Sequence, residues 1–530
     1  MSRLVLKPMP EQEDAIEAFL GGSTLRINAF AGTGKTTTLQ MLAERSRLKG
    51  QYIAFNKDIV QAAQSRFPRS VKSSTSHSLA FRGVVGRFGN SSDKLFSRVN
   101  VNATASYLNL AQRGITMTYS LTARQQAFLI CETIRRYCQS ADIEIVPKHV
   151  PRYGVLAVVS DDIVRMVSHY VVEGARRLWR AMIDPSDPYP LGHDGYLKLW
   201  ALSTPQIKAD YILLDEAQDT SDVMLGVLKA QKAQMVYVGD RYQQIYEWRG
   251  AVNAMERIET ARETALTTSF RFGPELAGFA SRVLSFLGED RKLRGNPQIS
   301  TSLRRVHQGT FLARTNAVAI MTAVEAIGRG MRPHITGGNG EMLEMLRSVS
   351  GLRMGRPSLF PEFFGFGTWG EVQDFSETLE GERLKTFVKL VDTHGEGQLI
   401  WALGNTVDEK VCDLVVSTAH RAKGREWDDV ILADDFLQDN PERRRRRSGN
   451  KEIDAAELRL FYVAVTRSRR ALDVPECLRE ILNGDITVKS EDDAGIAIAA
   501  VPQSSGNVIS FRKDARSVED KGAGALPLFA

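Results

Sequence analysis

Short apolar runs alternate with amphipathic stretches over most of this 530-residue chain. Residues 23–48 (STLRINAFAGTGKTTTLQMLAERSRL) read as an apolar strand, a glycine-rich turn and an amphipathic helix. A second apolar run, in residues 210–220 (DYILLDEAQDT), ends in two acidic residues. Repeated alternation of strands with helices predicts parallel β-sheets that helices cover on both faces. The predicted fold class is therefore α/β.

Two other stretches depart from this alternation. The segment LTARQQAFLICETIRRYCQSAD (residues 121–142) has the apolar spacing of a helix, which predicts a mostly helical insertion around it. After about residue 485 the composition shifts to small and polar residues. Because such a segment buries little apolar surface, we expect a largely disordered tail.

Composition and charge limit the cellular compartment and the kinds of partner that fit this chain, but they do not identify its function. The chain has 69 Lys and Arg against 63 Asp and Glu, a formal charge of +6. This mild excess permits a polyanionic partner without requiring one. Four cysteines give neither a disulfide framework nor paired metal-ligand spacing, which favours a reducing, intracellular setting. No apolar run approaches the ~20 residues of a membrane helix, so we expect a cytoplasmic protein, nucleoid-associated in a bacterium, with no membrane partner.

The glycine-rich turn AGTGKTT has the pattern of a loop that holds nucleotide phosphates. Gly32 and Gly34 let backbone N–H groups converge on phosphate oxygens at the positive end of the following helix. Lys35 is expected to reach the outer phosphates, and the Thr36 hydroxyl to ligate magnesium. The alternative is an ordinary glycine turn before a helix. The predicted nucleotide contacts, with a small alanine at the usual first glycine position, are Ala29, Gly32, Thr33, Gly34, Lys35, Thr36 and Thr37.

The acid pair Asp215 and Glu216 follows the second apolar run. A carboxylate at the end of a buried strand beside a phosphate loop is the expected magnesium partner, so Thr36 and Asp215 form the predicted metal site. Glu216 is placed to orient or deprotonate a water, which favours a hydrolase over a kinase. The alternative is a solvated acidic loop. The predicted cofactors are ATP and Mg²⁺.

Further segments give the chain a family resemblance. VYVGDRYQQIYEWRGA (residues 236–251), VSTAHRAKGREWDDVIL (416–432) and LFYVAVTRSRRAL (460–472) resemble the third, fifth and sixth motifs of UvrD/Rep-type superfamily-one DNA helicases. Within that family, HDGYLKLWALS (193–203) and SFRFG (269–273) are most similar to the helicase part of F-box DNA helicases and their bacterial relatives. The motifs follow one another in family order from residue 10 to about residue 472.

The resemblance implies contacts to the base, the sugar and the γ-phosphate. Gln12 would hydrogen-bond the adenine edge, Phe270 would stack on its face, and Glu426 would contact the ribose. Two arginines would reach the γ-phosphate from the second motor domain, although either arginine alone could be a surface ion pair. Paired guanidiniums suit a transition state whose charge spreads over phosphoryl oxygens. The catalytic set implied is Lys35, Asp215, Glu216, Gln243, Arg271 and Arg467.

The resemblance also implies a track for DNA. Tyr246 and Trp248 lie two residues apart beside Gln243, and stacking on aromatic rings suits single strands because every base has a π-face. The alternatives are a core role for the Trp and for the two histidines of the set. Phe55 lies one position later than the family pattern has its phenylalanine. The predicted DNA-binding residues are Phe55, Thr75, His77, Tyr246, Trp248, Arg249, Thr418 and His420.

The resemblance implies two RecA-like parallel-sheet motor domains, each interrupted by a mostly helical accessory insertion. The predicted bounds are 1–84 and 193–260 for the first motor domain, 85–192 for its insertion, 261–338 and 405–485 for the second motor domain, 339–404 for a short second insertion, and 486–530 for the tail.

Two segments outside the motifs carry weaker signals. Five consecutive arginines at 443–447 are either a solvated loop or a contact to the phosphate backbone. The last residues, GALPLFA, resemble peptides that dock on the bacterial sliding clamp, with Leu526, Leu528 and Phe529 as anchors. Ala525 stands where such peptides have Gln, and the alternative is a frayed end.

The function implied is an ATP-dependent DNA helicase that moves along single-stranded DNA, 3′ to 5′, in repair, recombination or replication. Single strands and single/double-strand junctions would be its partners. One alternative is a translocase that strips proteins such as recombinase filaments without processive unwinding. Another is a nucleotide-gated DNA-binding protein with little turnover, against which the intact set of catalytic residues argues.

Overall fold

A computed structural model describes residues 7–54, 56–89, 92–97, 99–115, 120–245, 253–378, 381, 384–438, 451–484 and 486–489. These residues belong to one compact unit that ends at Lys489. The strands are β1 (Leu25–Ala29), β2 (Gly50–Ala54), β3 (Val71–Thr75), β4 (Arg113–Gly114), β5 (Ser120–Leu121), β6 (Tyr211–Leu214), β7 (Gln234–Gly239), β8 (Arg262–Leu266), β9 (Ser302–Leu303), β10 (Thr310–Ala313), β11 (Pro333–Ile335), β12 (Leu414–Thr418), β13 (Trp427–Leu432), β14 (Lys451–Asp454), β15 (Ser468–Asp473) and β16 (Ile486–Lys489).

The α-helices cover the sheets and fill the two insertions. They are α1 (Pro10–Leu20), α2 (Lys35–Arg45), α3 (Lys57–Arg66), α4 (Ser76–Val84), α5 (Ser92–Phe96), α6 (Val101–Tyr107), α7 (Ala123–Gln139), α8 (Asp161–Ile183), α9 (Gly192–Leu202), α10 (Asp222–Lys229), α11 (Ala254–Arg257), α12 (Pro274–Phe286), α13 (Asn316–Gly328), α14 (Gly340–Arg353), α15 (Trp369–Ser376), α16 (Lys385–His394), α17 (Glu396–Gly404), α18 (Ala419–Ala422), α19 (Ala455–Val465) and α20 (Glu476–Asn483). Among the described residues, no helix is long and apolar enough to span a membrane.

The first sheet has six parallel strands in the order β3-β2-β6-β7-β1-β8. All four residues of β6 are buried, because alternate side chains of this strand enter different cores. Tyr211 and Leu213 pack with residues of α1–α3, whereas Ile212 and Leu214 pack with residues of α4, α7, α9 and α10. Burial on both faces is what a central strand of a parallel sheet requires.

The second sheet also has six parallel strands, in the order β11-β12-β10-β13-β15-β9. The two sheets fit the α/β fold class with two parallel sheets predicted from the sequence. We call each sheet with the helices that pack on it a half of the molecule. Because parallel strands share a direction, the residues that follow their carboxyl ends meet at one edge of each sheet.

One predicted boundary is corrected by the strand pairing. The sequence analysis ended the first motor domain at 260, but β8 pairs with β1 from Leu25↔Arg262 to Ala29↔Leu266. β8 therefore belongs to the first sheet. It is an edge strand whose first two residues are exposed, so its sequence lacks the apolar run that reveals a buried strand.

A second correction concerns the start of the predicted tail at 486. Residues Ile486–Lys489 form β16, which pairs in parallel with β14. The segment is short, but it contains the β-branched residues Ile486, Thr487 and Val488, which favour an extended backbone.

The insertion that follows α4 is mostly helical. In α8 the buried positions Val164, Val167, Val171, Ala175, Leu178 and Met182 recur every three or four residues, the spacing of one helix face. The segment between β11 and β12 contains α14–α17. The two insertions are in contact, since Val155 N–H donates to Phe364 O at 2.9 Å and the Phe128 and Phe364 rings stack with centroids 5.4 Å apart.

Candidate nucleotide-binding site

The phosphate loop links β1 to α2 at the carboxyl edge of the first sheet. Gly32 and Gly34 have left-handed backbones, with φ of 73° and 79°. Gly34 is the N-cap of the 11-residue α2, so the loop leads into a helix start whose free N–H groups suit the predicted phosphates. Around it, Ala29 is the last residue of β1, Thr33 donates from Oγ1 to Phe30 O at 2.9 Å, and Thr37 lies in the first turn of α2.

Thr36 and Asp215 come together as the predicted magnesium ligands. Thr36 Oγ1 donates to Asp215 Oδ2 at 2.6 Å, and Tyr52 OH donates to the same oxygen at 2.8 Å. A hydroxyl and a carboxylate suit Mg²⁺, which binds through few protein oxygens and keeps several waters. Burial, with the nearby charge of Glu216, raises the pKa of Asp215. Tyr52 was missed from the sequence, because its place in an apolar strand gives no sign of a polar contact.

Glu216 lies where a catalytic base is expected. Its φ of 51° is a left-handed conformation that non-glycine residues seldom adopt, and such strain is concentrated at functional sites. Gln218 Nε2 donates to Glu216 Oε2 at 2.6 Å, and Lys35 Nζ lies 3.9 Å from Glu216 Oε1. Burial alone would raise the pKa of Glu216, but the charges of Lys35 and Lys423 bring the pKa below its ordinary value. The carboxylate is therefore ionised and oriented.

The second half places Arg467 in the same site. Its side chain is only 2% exposed, and Nη2 lies 3.5 Å from Gln243 Oε1 of the first half. Burial and the charge of Arg271 lower the pKa of Arg467 to about 9. Gln243 in turn donates from Nε2 to Asp240 Oδ2 at 2.9 Å. The predicted arginine and glutamine thus meet.

Arg271 and Glu426 pair with one another. Arg271 Nε donates to Glu426 Oε2 at 2.6 Å, and Arg271 Nη1 donates to Thr466 O at 3.0 Å. Glu426 was predicted to contact the ribose, and Arg271 was predicted to contact the γ-phosphate. In this arrangement the two side chains bind each other.

Gln12 and Phe270 both lie next to Gly34. A Cβ on Gly34 would be 3.5 Å from the Phe270 ring and 3.7 Å from Gln12 Nε2. Phe270 is 45% exposed, so its ring face is open for stacking. Gln12 is buried, donates from Nε2 to Thr38 Oγ1 at 3.0 Å and accepts from Met9 N–H at 3.0 Å.

Two further contacts across the halves were missed from the sequence. Tyr462 OH accepts from Ala31 N–H and donates to Asp240 Oδ2, each at 3.1 Å. Lys423 Nζ lies 2.6 Å from Asp219 and also donates to Gln243 O. Burial raises the pKa of Asp219 and of Asp240 to about 6. Both acids follow carboxyl ends of strands of the first sheet, a signal that could have pointed to them.

The predicted DNA-binding residues within the described chain lie at strand ends. Thr75 is the N-cap of α4 and accepts from Ser78 N–H at 3.1 Å, and Thr418 is the buried last residue of β12. The His77 side chain is 44% exposed, with Nε2 3.6 Å from Asp194 Oδ1, which excludes a core role. His420 lies in α18. The remaining predicted contacts, Phe55, Tyr246, Trp248, Arg249, Leu526, Leu528, Phe529 and the arginines at 443–447, lie outside the described residues.

A cavity of about 190 Å³ joins the acid pair to the start of α4. Its lining includes the acids Asp215, Glu216 and Asp219 together with His77 and Asp194. Among the residues that the structure describes, no group of three or more His, Cys, Asp and Glu side chains could hold a metal ion. The cavity therefore adds no metal cage to the pair of predicted magnesium ligands.

Comparisons with known proteins support the family resemblance. Residues 196–262 match the UvrD/REP helicase N-terminal domain, and residues 368–477 match the UvrD-like helicase C-terminal domain. F-box DNA helicase 1 of Gallus gallus is 32% identical over 501 residues, which are 87% of this chain and 48% of that protein. F-box DNA helicase protein 1 of Schizosaccharomyces pombe is 31% identical over 522 residues, 90% of this chain and 57% of that protein.

The chain thus spans about half the length of the curated relatives that it matches. The family predicted from the motifs is confirmed, and the two parallel sheets are those of the RecA-like domains of this family. The chain thus carries segments that match both the N-terminal and the C-terminal helicase domains of the UvrD/Rep family.

Proposed function

We propose that this protein is an ATP-dependent, Mg²⁺-dependent DNA helicase that moves along single-stranded DNA. The observation that carries the proposal is the composite site, in which buried Arg467 of the second half lies 3.5 Å from Gln243 of the first half, beside the phosphate loop and the acid pair. A nucleotide site built from two halves couples hydrolysis to movement, because loss of the γ-phosphate changes the contacts between the halves.

The chemistry follows from the side chains. The N–H groups of the phosphate loop and Lys35 bind the phosphates, and Thr36 and Asp215 hold the metal ion, which offsets phosphate charge when bound. Glu216 accepts a proton from a water as the water oxygen bonds to the γ-phosphorus and the bond to the ADP oxygen breaks. Arg467 and Arg271 stabilise the charge on the transferred phosphoryl oxygens.

The direction, substrate and pathway rest on the family resemblance. We propose 3′-to-5′ movement on single strands and at single/double-strand junctions, in repair, recombination or replication. The names of both curated relatives, which are DNA helicases, support DNA as the substrate.

The test is steady-state ATP hydrolysis with and without single-stranded DNA, in the wild type and in Glu216→Gln. Stimulation by DNA of about tenfold, roughly 1.4 kcal/mol in the barrier, is expected for a DNA motor. Loss of the base should lower kcat by roughly 10²–10⁴-fold. Glu256→Gln, at an exposed position of α11, is the matched control. A wild type that DNA does not stimulate would contradict the proposal.

A second candidate is a translocase that strips proteins from single strands without processive unwinding. The small size of the second insertion, four helices between Gly340 and Gly404, favours it. Separation of a forked duplex and displacement of streptavidin from a biotinylated single strand distinguish the two. Displacement without strand separation would replace the helicase by this translocase.

A further inference from the structure

Phe96 is an aromatic residue that the fold holds in place but leaves half in solvent. Its side chain is 47% exposed, whereas its neighbours Lys94 and Leu95 are buried. Lys94 Nζ donates to the carbonyls of Ala181, Asp187 and Tyr189, at 3.2, 2.7 and 2.7 Å. These contacts anchor the short helix α5, so the ring of Phe96 has a fixed position.

Other aromatic rings continue from Phe96 across the surface. The Phe96 ring stacks on Phe81 with centroids 5.1 Å apart and lies 5.7 Å from the ring of exposed His193. His193 lies 6.3 Å from His77. Buried Tyr196 supports the group from below, 5.9 Å from Phe81. We call the exposed rings of Phe96, His193 and His77 the Phe96 surface.

The Phe96 surface lies beside the proposed hydrolysis site. His77 is in the first turn of α4, which begins directly after the carboxyl end of β3, and the phosphate loop follows the carboxyl end of β1 in the same sheet. His77 also lines the cavity that reaches Asp215 and Glu216. A strand of nucleic acid on this surface would thus contact the wall of the catalytic site.

The chemistry of the Phe96 surface fits nucleobases. An apolar protein partner would find one exposed phenyl ring followed by two polar imidazoles. A base needs an exposed aromatic ring to stack on, and Phe96 offers a ring that is half exposed and fixed in place. We infer that Phe96 stacks on a base of the bound single strand and extends the DNA track from the sheet edge onto the first insertion. This inference rests on the proposed function.

The test compares Phe96→Leu, which keeps apolar contact with Phe81 but removes the ring, with Phe96→Trp, which keeps a ring. Leu48→Ala is the control. Leu48 is exposed and precedes the amino end of β2, whereas His77 of the Phe96 surface follows the carboxyl end of β3. The measurement is the dissociation constant for fluorescein-labelled oligothymidylate. Phe96→Leu should weaken binding by about 5- to 150-fold, the equivalent of roughly 1–3 kcal/mol for one stacked base. Phe96→Trp and Leu48→Ala should bind like the wild type.

A second readout reports stacking directly. Oligonucleotides with 2-aminopurine at successive positions should show quenched fluorescence at one position in the wild type and in Phe96→Trp, but not in Phe96→Leu. ATP hydrolysis without DNA should be unchanged in all variants. If Phe96→Leu binds with wild-type affinity, or if the Leu and Trp variants lose equal affinity, the inference is wrong but the proposed function stands. A wild type that does not bind the oligonucleotide would overturn the proposed function together with the inference.

Discussion

At Gly32 the phosphate loop passes close to the segment after β8. A Cβ at this position would lie 2.5 Å from Ser269 Oγ and 2.8 Å from Arg271 Cβ, and φ is 73°. This position therefore requires glycine for two reasons: the backbone is left-handed, and there is no room for a side chain. Both serve to keep Arg271 close to the loop.

We predict that Gly32→Ala loses most ATP hydrolysis and that its Tm falls. The left-handed backbone costs an alanine roughly 1–2 kcal/mol, and the clash with Ser269 and Arg271 displaces the loop. Gly288→Ala is the control, because its φ is 76° but nothing lies within 4 Å of the added Cβ. The measurements are ATP affinity, kcat and Tm. Equal effects in the two variants would show that backbone conformation alone matters at Gly32.

At the scale of elements, the two insertions touch through short helical turns. The turn Gly154–Ala157 meets the turn Pro361–Phe363, and buried Phe364 packs in the core of the first insertion. Gly154 makes this possible, since a Cβ there would lie 1.9 Å from Phe364 O. The insertions thus form a second link between the halves, apart from the nucleotide site.

We predict that Gly154→Val separates the insertions and leaves each sheet folded. The β-branched side chain clashes with the Phe364 carbonyl, so the hydrogen bond from Val155 is lost. Small-angle X-ray scattering should show a larger radius of gyration, and proteolysis near residues 150–160 should accelerate. Gly89→Val, where φ is 60° and the space around the Cβ is open, is the matched control. An unchanged scattering profile would mean that the contact does not hold the insertions together.

At the scale of the whole molecule, Tyr462, Lys423 and Arg467 join the halves at the nucleotide site. Lys423 contacts Asp219 and the Gln243 carbonyl, and both carboxylate and ammonium are nearly buried. Such a pair is costly to break, because removal of one partner leaves the other charge buried without its partner.

We predict that Lys423→Met retains ATP binding but loses about tenfold or more of DNA-stimulated kcat, roughly 1.4 kcal/mol in the barrier. The unbranched methionine side chain, one atom shorter than lysine, retains the apolar stem and removes the charged link between the halves. A double-mutant cycle with Asp219→Asn should give a coupling energy of roughly 0.5–3 kcal/mol. Lys385→Met, which breaks the exposed pair with Glu377, is the control. Additive effects of the two substitutions would contradict a direct link.

The sequence by itself determined the local parts of the site. The phosphate loop follows from two glycines between an apolar run and a helix, and the acid pair follows from a buried strand, because backbone conformation and burial are encoded within some ten residues. The motifs and their order also determined the family.

Only the tertiary structure decided which distant residues meet. The strand β8 joins the first sheet through pairing with β1, although more than 200 residues separate them and its first two residues are charged and exposed. Tyr52 meets Asp215, and Tyr462 meets Ala31 and Asp240, through the same non-local packing. The β8 pairing and the Tyr52 contact depend on how parallel strands from distant parts of the chain align. The Tyr462 contacts depend on how α19 of the second half packs against the first half. No local pattern of residues encodes either arrangement.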